Sequence, residues 1–351
     1  MGYNFNAKSD VAMRKIALIC VIICLFLSGC GGYHSLSKGR AFRLSKVSFS
    51  DLPGWTDDDL NDAYPALANA CLKPSDGWKE FCAGLSDYRY ASSRKLRQYV
   101  ERKLTPYRVT AHGDATGRIT GYYEAELTGT RTKQRDGQVP VYGLPYRYDK
   151  SKTYDKRRSI EASDFEAPIL AWADDPVDLF LVHVQGSGRM ETPDGEIHLG
   201  FAGSNNRTFT GIGQILADEG LLNEAGHSMQ QIRSWLKAHP QKARELMAKN
   251  DRYIFFREIQ GDTPIGTAGV PLTPYHSVAV DRDFIPMQTP MWLVTTDPND
   301  EPIRTLVVAQ DTGAAIKGGI RADFFFGHGE DAFQLAGRMN TKGSYYLLLP
   351  D

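Results

Sequence analysis

Residues 306–323 read LVVAQDTGAAIKGGIRAD. The stretch opens on an apolar, β-branched run that ends at Asp311, the pattern of a strand running into a turn. The Asp-Thr-Gly-Ala at that point is the short signature of a pepsin-type protease. Such a protease needs two carboxylates in contact, sharing one proton. No second Asp-Thr-Gly or Asp-Ser-Gly occurs in the chain, and 351 residues with one copy is not the small dimeric form of that enzyme. Two more aspartates stand at ends of predicted strands, Asp281 in SVAVDRDFIP and Asp323 in IRADFFFGHG. An aspartate in such a place is ordinarily a turn residue bonding nearby amides. Asp323 differs because Phe324, Phe325 and Phe326 follow it. An apolar wall penalises the charged carboxylate, and a carboxylic acid still protonated near neutral pH is what general acid catalysis requires.

Outward from this stretch the chain is rich in short β patterns. GRITGYYEAELTGT, VPVYGLPY, DLFLVHVQGSG, EIHLGFAG, RYIFFREI, SVAVD, MWLVTT, RTLVVAQD and SYYLLLP carry β-branched and aromatic residues between Gly, Pro, Asn or Asp. DDDLNDAYPALANACLKP, SSRKLRQYVERKLTPYRV, TGIGQILADEG and SMQQIRSWLKAH show helical spacing, and Pro240 can open a helix at PQKARELMAKN. No repeat of fixed period appears. Irregularly spaced strands with few helices between them predict a mainly β body, built from barrels with peripheral helices.

Several signatures fail on inspection. In QGSGRM the glycines flank Ser187 directly, unlike a nucleophile elbow, and neither it nor GIGQIL completes a dinucleotide loop. The histidines never pair at metal-ligand spacing, so a zinc or iron site has no sequence support. His183, between Val182 and Val184, reads as a face-filling strand residue.

The N-terminus reads as a secretory leader. Arg14 and Lys15 precede an apolar run from Ile16 to Leu27, too short to span a bilayer. Leu27-Ser28-Gly29-Cys30 resembles a bacterial lipobox, which implies a signal over residues 1–29, acylation of Cys30 and a polar tether to residue 45. Gly31 in place of an aspartate after the cysteine implies the outer membrane, facing the periplasm; a plain signal peptide or helical anchor is the alternative, and translation could start at Met1 or Met13. Removing residues 1–29 takes away Lys8, Arg14, Lys15 and Asp10 and leaves 38 basic against 41 acidic side chains. No basic stripe remains for nucleic acid. Cys71 and Cys82 are the cysteines left in the folded body, either paired in an oxidising periplasm or free and buried.

GYYEAELTGT, WADDPVDLFLVHVQGSGRM, YIFFRE, GVPLTPYHSVAVDRDFIP and AQDTGAAIKGGIRADFFFGHG together resemble the membrane-bound lytic murein transglycosylase A family, in order, from about Trp55 to Tyr346. Its three-aspartate C-terminal domain matches Asp281, Asp311 and Asp323. The chain departs from the family at Asn206, where relatives commonly carry glycine, and at Phe209, where they carry tyrosine.

The resemblance implies a double-psi β-barrel from residues 46–124 and 258–351, a second β-barrel inserted at 125–257, and a groove between them. It implies an exotransglycosylase, a lyase that needs no metal or cofactor, cuts the β-1,4 bond between N-acetylmuramic acid and N-acetylglucosamine and leaves a 1,6-anhydro ring. One carboxyl suffices, because the substrate's tethered C6 hydroxyl is the nucleophile. Asp323 matches the catalytic acid and base, Asp311 a supporting residue that organises the loop carrying Lys317, and Asp281 a structural one. Thr120, Gly121 and Tyr122 on one side and Gln185, Gly186, Ser187 and Gly188 on the other are candidates to line the groove, with Lys317. Strand alternation turns one of Tyr122 and Tyr123 inward, so core packing is open for either. The implied partners are peptidoglycan glycan strands, the outer membrane and other cell-wall enzymes. A non-catalytic peptidoglycan-binding lipoprotein is the rival reading.

Overall fold

The computed structural model describes residues 42–222 and 228–350. The leader, Cys30 and most of the tether lie outside the described residues. No helix of the described residues is long and apolar enough to cross a membrane.

The described chain opens with β1 (Phe42–Lys46), so residues 42–45 are strand and not tether; α1 (Leu60–Ala70), α2 (Lys79–Leu85) and α3 (Ser93–Lys103) follow. Next come β2 (Leu104–Ala111), β3 (Gly117–Thr130), β4 (Val139–Tyr142), α4 (Arg157–Ala162) and β5 (Ile169–Ala173). The middle of the chain continues with α5 (Pro176–Gln185), β6 (Gly188–Thr192), β7 (Gly195–Ser204), α6 (Ile212–Asp218), α7 (Met229–Ala238), α8 (Pro240–Met247) and β8 (Ile254–Glu258). The last part holds β9 (Ser277–Val280), β10 (Pro290–Thr296), β11 (Pro302–Asp311), β12 (Arg321–His328), α9 (Gly329–Arg338) and β13 (Asn340–Pro350).

Strand pairings run β13–β10–β11–β9–β12–β3, and β3 pairs back with β13, so six strands form a closed circuit. The two-residue alternation of each strand sorts side chains to its two sides. Met291, Leu293, Val307, Ala309, Tyr345 and Leu347 join one large core, while Trp292, Leu306, Val308, Tyr346 and Leu348 point the other way into α1, α2 and α3. A disulfide between Cys71, which caps the end of α1, and Cys82 in α2 fastens this helical layer.

The 14-residue β3 belongs to two sheets. Up to Glu124 it pairs with β12 and β13, and from Ala125 with β6 and β5. At this crossing the Arg189 guanidinium bonds the buried Glu124 carboxylate at 2.7 Å and Glu196 at 3.2 Å, joining β3, β6 and β7.

The expected strand DLFLVHVQ is instead α5. Its β-branched content misleads, but its ends are helical: Asp175 caps the amide of Val177, Pro176 occupies the first turn and Gly186 takes the left-handed terminating conformation at φ 88°. His183 therefore fills a helix face. It is buried between Phe256 and Tyr253, with Nδ1 at 2.8 Å from Arg157. Asn206 has φ 56°, a left-handed conformation that asparagine tolerates, and its side chain bonds the carbonyls of Lys150 and Lys152.

Candidate active site

Register places two of the three aspartates in one row. Asp311 pairs with Ala279 of β9, and Ala279 pairs on its other side with Asp323 of β12. Asp323 pairs with Thr120 of β3, which in turn pairs with Asn340 of β13. Asp311, Ala279, Asp323, Thr120 and Asn340 thus form one row across five strands. Asp323 lies inside β12 and not at a strand end, while Asp311 is the last residue of β11.

Which face carries the row follows from alternation. Ala322 and Phe324 enter the large core, whereas Phe325 packs with Tyr122, Ala279, Leu272 and Ile316 on the same face as Asp323. Of the three phenylalanines only Phe325 shares the aspartate's face, so the apolar wall is made mainly by residues from other strands.

The two carboxyls are held differently. Asp311 Oδ1 accepts from the amide of Thr267 at 2.9 Å, its hydroxyl at 2.8 Å and the amide of Thr312 at 2.9 Å, and Oδ2 accepts from Tyr122 at 3.2 Å. Asp323 has one donor among the described residues, the Thr120 hydroxyl, which bonds Oδ1. Surface area leaves both half-buried, yet the packing around them makes burial the largest influence, pushing both carboxyls above the ordinary aspartate range. At Asp311 the donors oppose that effect. At Asp323 the Arg321 and Arg118 guanidinium groups and Thr120 oppose it, while the Asp311 charge adds to it. With four donors Asp311 is the better-stabilised anion, and Asp323 is the carboxyl more easily kept protonated. Burial and the two carboxylates push the Tyr122 hydroxyl far up, so it acts as a donor.

Asp281 follows β9 and is nearly sealed. Burial works against its charge, but the amides of Gly318 and Asp283 and the Lys317 ammonium prevail and hold it below the ordinary range. Lys317 lies 3.4 Å from Asp281, and its side chain stays 66% exposed.

The other expected residues spread along β3. The Tyr122 ring packs inside while its hydroxyl holds Asp311. Gly121 turns to the opposite face, where a Cβ would come within 2.7 Å of Phe326 and 2.9 Å of Ala336, so it serves the packing of α9. Tyr123 follows it there, its ring 5.3 Å from Phe333. Gln185 accepts from the amide of Tyr123 at 3.3 Å, Gly186 ends α5, and Gly188 pairs with Ala125; Ser187 lies between them. This segment is about 10–15 Å from Thr120 along the strand. Four contributors escaped sequence reasoning: Thr267, Thr312, Arg321 and Arg118. Thr312 had a signal, being the second residue of the Asp-Thr-Gly-Ala that drew attention to Asp311. A cavity of about 470 Å³ lined by Ser86, Asp87, Tyr88, Tyr90, Ala91 and Lys95 shares none of these residues.

The family model described as the MltA specific insert domain matches residues 118–257, and that described as the 3D domain matches residues 276–349. Membrane-bound lytic murein transglycosylase A of Escherichia coli K12 is 34% identical over 241 residues, which are 66% of this chain and 65% of that relative's length. The crystal structure of MltA from Neisseria gonorrhoeae, monoclinic form, superposes with a TM-score of 0.79 at 32% identity, covering 89% of this chain and 94% of that one. E. coli MltA with bound chitohexaose gives a TM-score of 0.69 at 26% identity, covering 88% and 91%. The chain belongs to the membrane-bound lytic murein transglycosylase A family.

Proposed function

We propose that this protein is a lytic transglycosylase of peptidoglycan, cutting the β-1,4 bond between N-acetylmuramic acid and N-acetylglucosamine. Asp323 protonates the leaving glycosidic oxygen, then takes the proton of the C6 hydroxyl as that oxygen closes the 1,6-anhydro ring. The observation that carries the reading is the contrast between two carboxyls in one row, Asp311 with four donors and Asp323 with one. A single acid near neutral pH is what a tethered nucleophile needs. The names of the relatives and the chitohexaose bound to E. coli MltA support a glycan substrate.

The glycan runs along the outer side of β3, from Thr120 towards Gln185–Gly188, with Lys317 as a reachable cation. The six-strand circuit is the double-psi barrel, from residues 46–124 and 258–351, and residues 125–257 are the inserted domain. Cys30 carries the lipid that holds the chain to the outer membrane, facing the periplasm.

The test is digestion of purified murein sacculi with mass analysis of the products. Wild type releases anhydro-muropeptides, and Asp323→Asn, with an intact fold by circular dichroism, loses roughly a hundredfold or more of that rate. Reducing ends in place of anhydro ends would mean a hydrolase. Binding without release would leave a non-catalytic glycan-binding lipoprotein.

A further inference from the structure

Arg321 sits two residues before Asp323 on β12, so its side chain leaves the same face. Its Nη2 donates to Thr120 Oγ1 at 2.8 Å, and the Thr120 hydroxyl bonds Asp323 Oδ1. Arginine is a donor only, so Thr120 Oγ1 must accept from it. The hydroxyl has a single proton, and among the described residues its one acceptor is Asp323 Oδ1. Were Asp323 to carry its proton on Oδ1, the Thr120 proton would be left without a partner. Asp323 Oδ2 has no bond among the described residues and is not a sealed atom.

We infer that Arg321 and Thr120 form a positioning relay that directs the Thr120 proton onto Oδ1 of Asp323 and thereby fixes Oδ2 as the oxygen that exchanges a proton with substrate. The inference rests on the proposed role of Asp323. In the bond-breaking step the Oδ2 proton passes to the glycosidic oxygen, which leaves with the electron pair of the bond to C1. The C6 oxygen then bonds C1, and its proton returns to Oδ2, so the carboxyl ends as it began. Oδ1 remains an acceptor throughout. Thr120 is thus assigned to Asp323 and not to sugar, and Arg321 acts through Thr120.

The relay stabilises the ionised carboxylate, so removing it raises the pH at which Asp323 titrates. The groups that face Asp323 are Arg321 on its own strand, Arg118 and Tyr122 on β3, and Asp311 on β11; Asp281, paired with Lys317, follows the adjoining β9. Arg118, Tyr122, Asp311 and Asp281 are the same in Thr120→Val and in Arg321→Met, but Arg321→Met also removes a guanidinium charge that acts on Asp323 directly, so Thr120→Val isolates the relay.

The measurement is the titration of Asp323 by 13C NMR of the full chain in detergent, labelled at the aspartate carboxyl, with the resonance assigned by its loss in Asp323→Asn. Thr120→Val and Arg321→Met each move the titration to higher pH. Thr120→Ser, which keeps the hydroxyl, stays near wild type. Sacculus digestion by the two relay variants falls roughly tenfold in kcat with little change in KM, in line with loss of one bond to a charged group, and Thr120→Ser recovers most of it. An unmoved titration in folded Thr120→Val overturns the relay, whatever Arg321→Met does through its lost charge. The NMR readout needs no turnover, so absence of anhydro products from wild type counts against the proposed reaction alone.

Discussion

Asp311→Asn separates electrostatic support from catalysis. The amide it introduces retains one oxygen for the three donors that meet Oδ1, and the Tyr122 hydroxyl can turn to accept from the amide nitrogen, so the loop keeps its shape. What disappears is a negative charge two strand spacings from Asp323, about 10 Å by the register through Ala279. At an effective dielectric of about 20, a unit charge at that distance contributes roughly 1.7 kcal/mol, somewhat more than tenfold in an equilibrium. The sign follows from like charges. The Asp311 carboxylate favours the protonated form of Asp323, so its removal favours ionisation and moves the alkaline limb of kcat/KM to lower pH. Above the limb the variant is slower by roughly tenfold. Well below it, where Asp323 is protonated in both proteins, the two rates converge. The assay is a pH series of anhydro-muropeptide release from sacculi at limiting substrate. A loss of equal size at every pH, or a limb that moves up, would refute the electrostatic reasoning and leave Asp311 a purely structural residue.

Three further outcomes follow from packing and charge. Replacing Cys71 and Cys82 by serine opens a loop with a sequence separation of 11 and lowers unfolding free energy by about 3 kcal/mol; urea titration reads it, and an unchanged midpoint would argue against it. Gly121→Ala drives a Cβ to 2.7 Å from Phe326 and 2.9 Å from the Ala336 backbone, which costs about 1–3 kcal/mol as α9 shifts off β3; thermal unfolding should show a lower Tm. Because Asp281 is held below the ordinary aspartate range, the stability it adds is complete above the unfolded value and is lost as pH falls through the folded one. Asp281→Asn should therefore lower stability at neutral pH and flatten its acid dependence, and an unaltered acid profile would count against the Gly318 and Lys317 contacts.

Much of the framework is legible in the sequence because period-two hydrophobic alternation is a local property. GRITGYYEAELTGT is β3 from end to end, and PQKARELM is α8 with Pro240 in its first turn. At α5 a β-branched run outweighs the Asp175, Pro176 and Gly186 signals that bound a helix. α9 is missed although Ala332, Leu335, Ala336 and Met339 keep helical spacing; what no local pattern shows is its seat on β3, where Ala336 packs against Gly121 more than two hundred positions earlier.

The sequence by itself determined a mainly β chain and the three aspartates, and ranked Asp323 above Asp311 through its phenylalanine neighbours. The tertiary structure decided the chemistry of each. Phe324 turns to the opposite face from Asp323, and the difference between the carboxyls comes from donors delivered by other segments: Thr267 and Tyr122 to Asp311, Thr120 with Arg321 to Asp323. Register across strands of distant sequence sets those contacts, and hydrogen bonds act only over the last three ångströms, so no local pattern of residues could encode them in readable form.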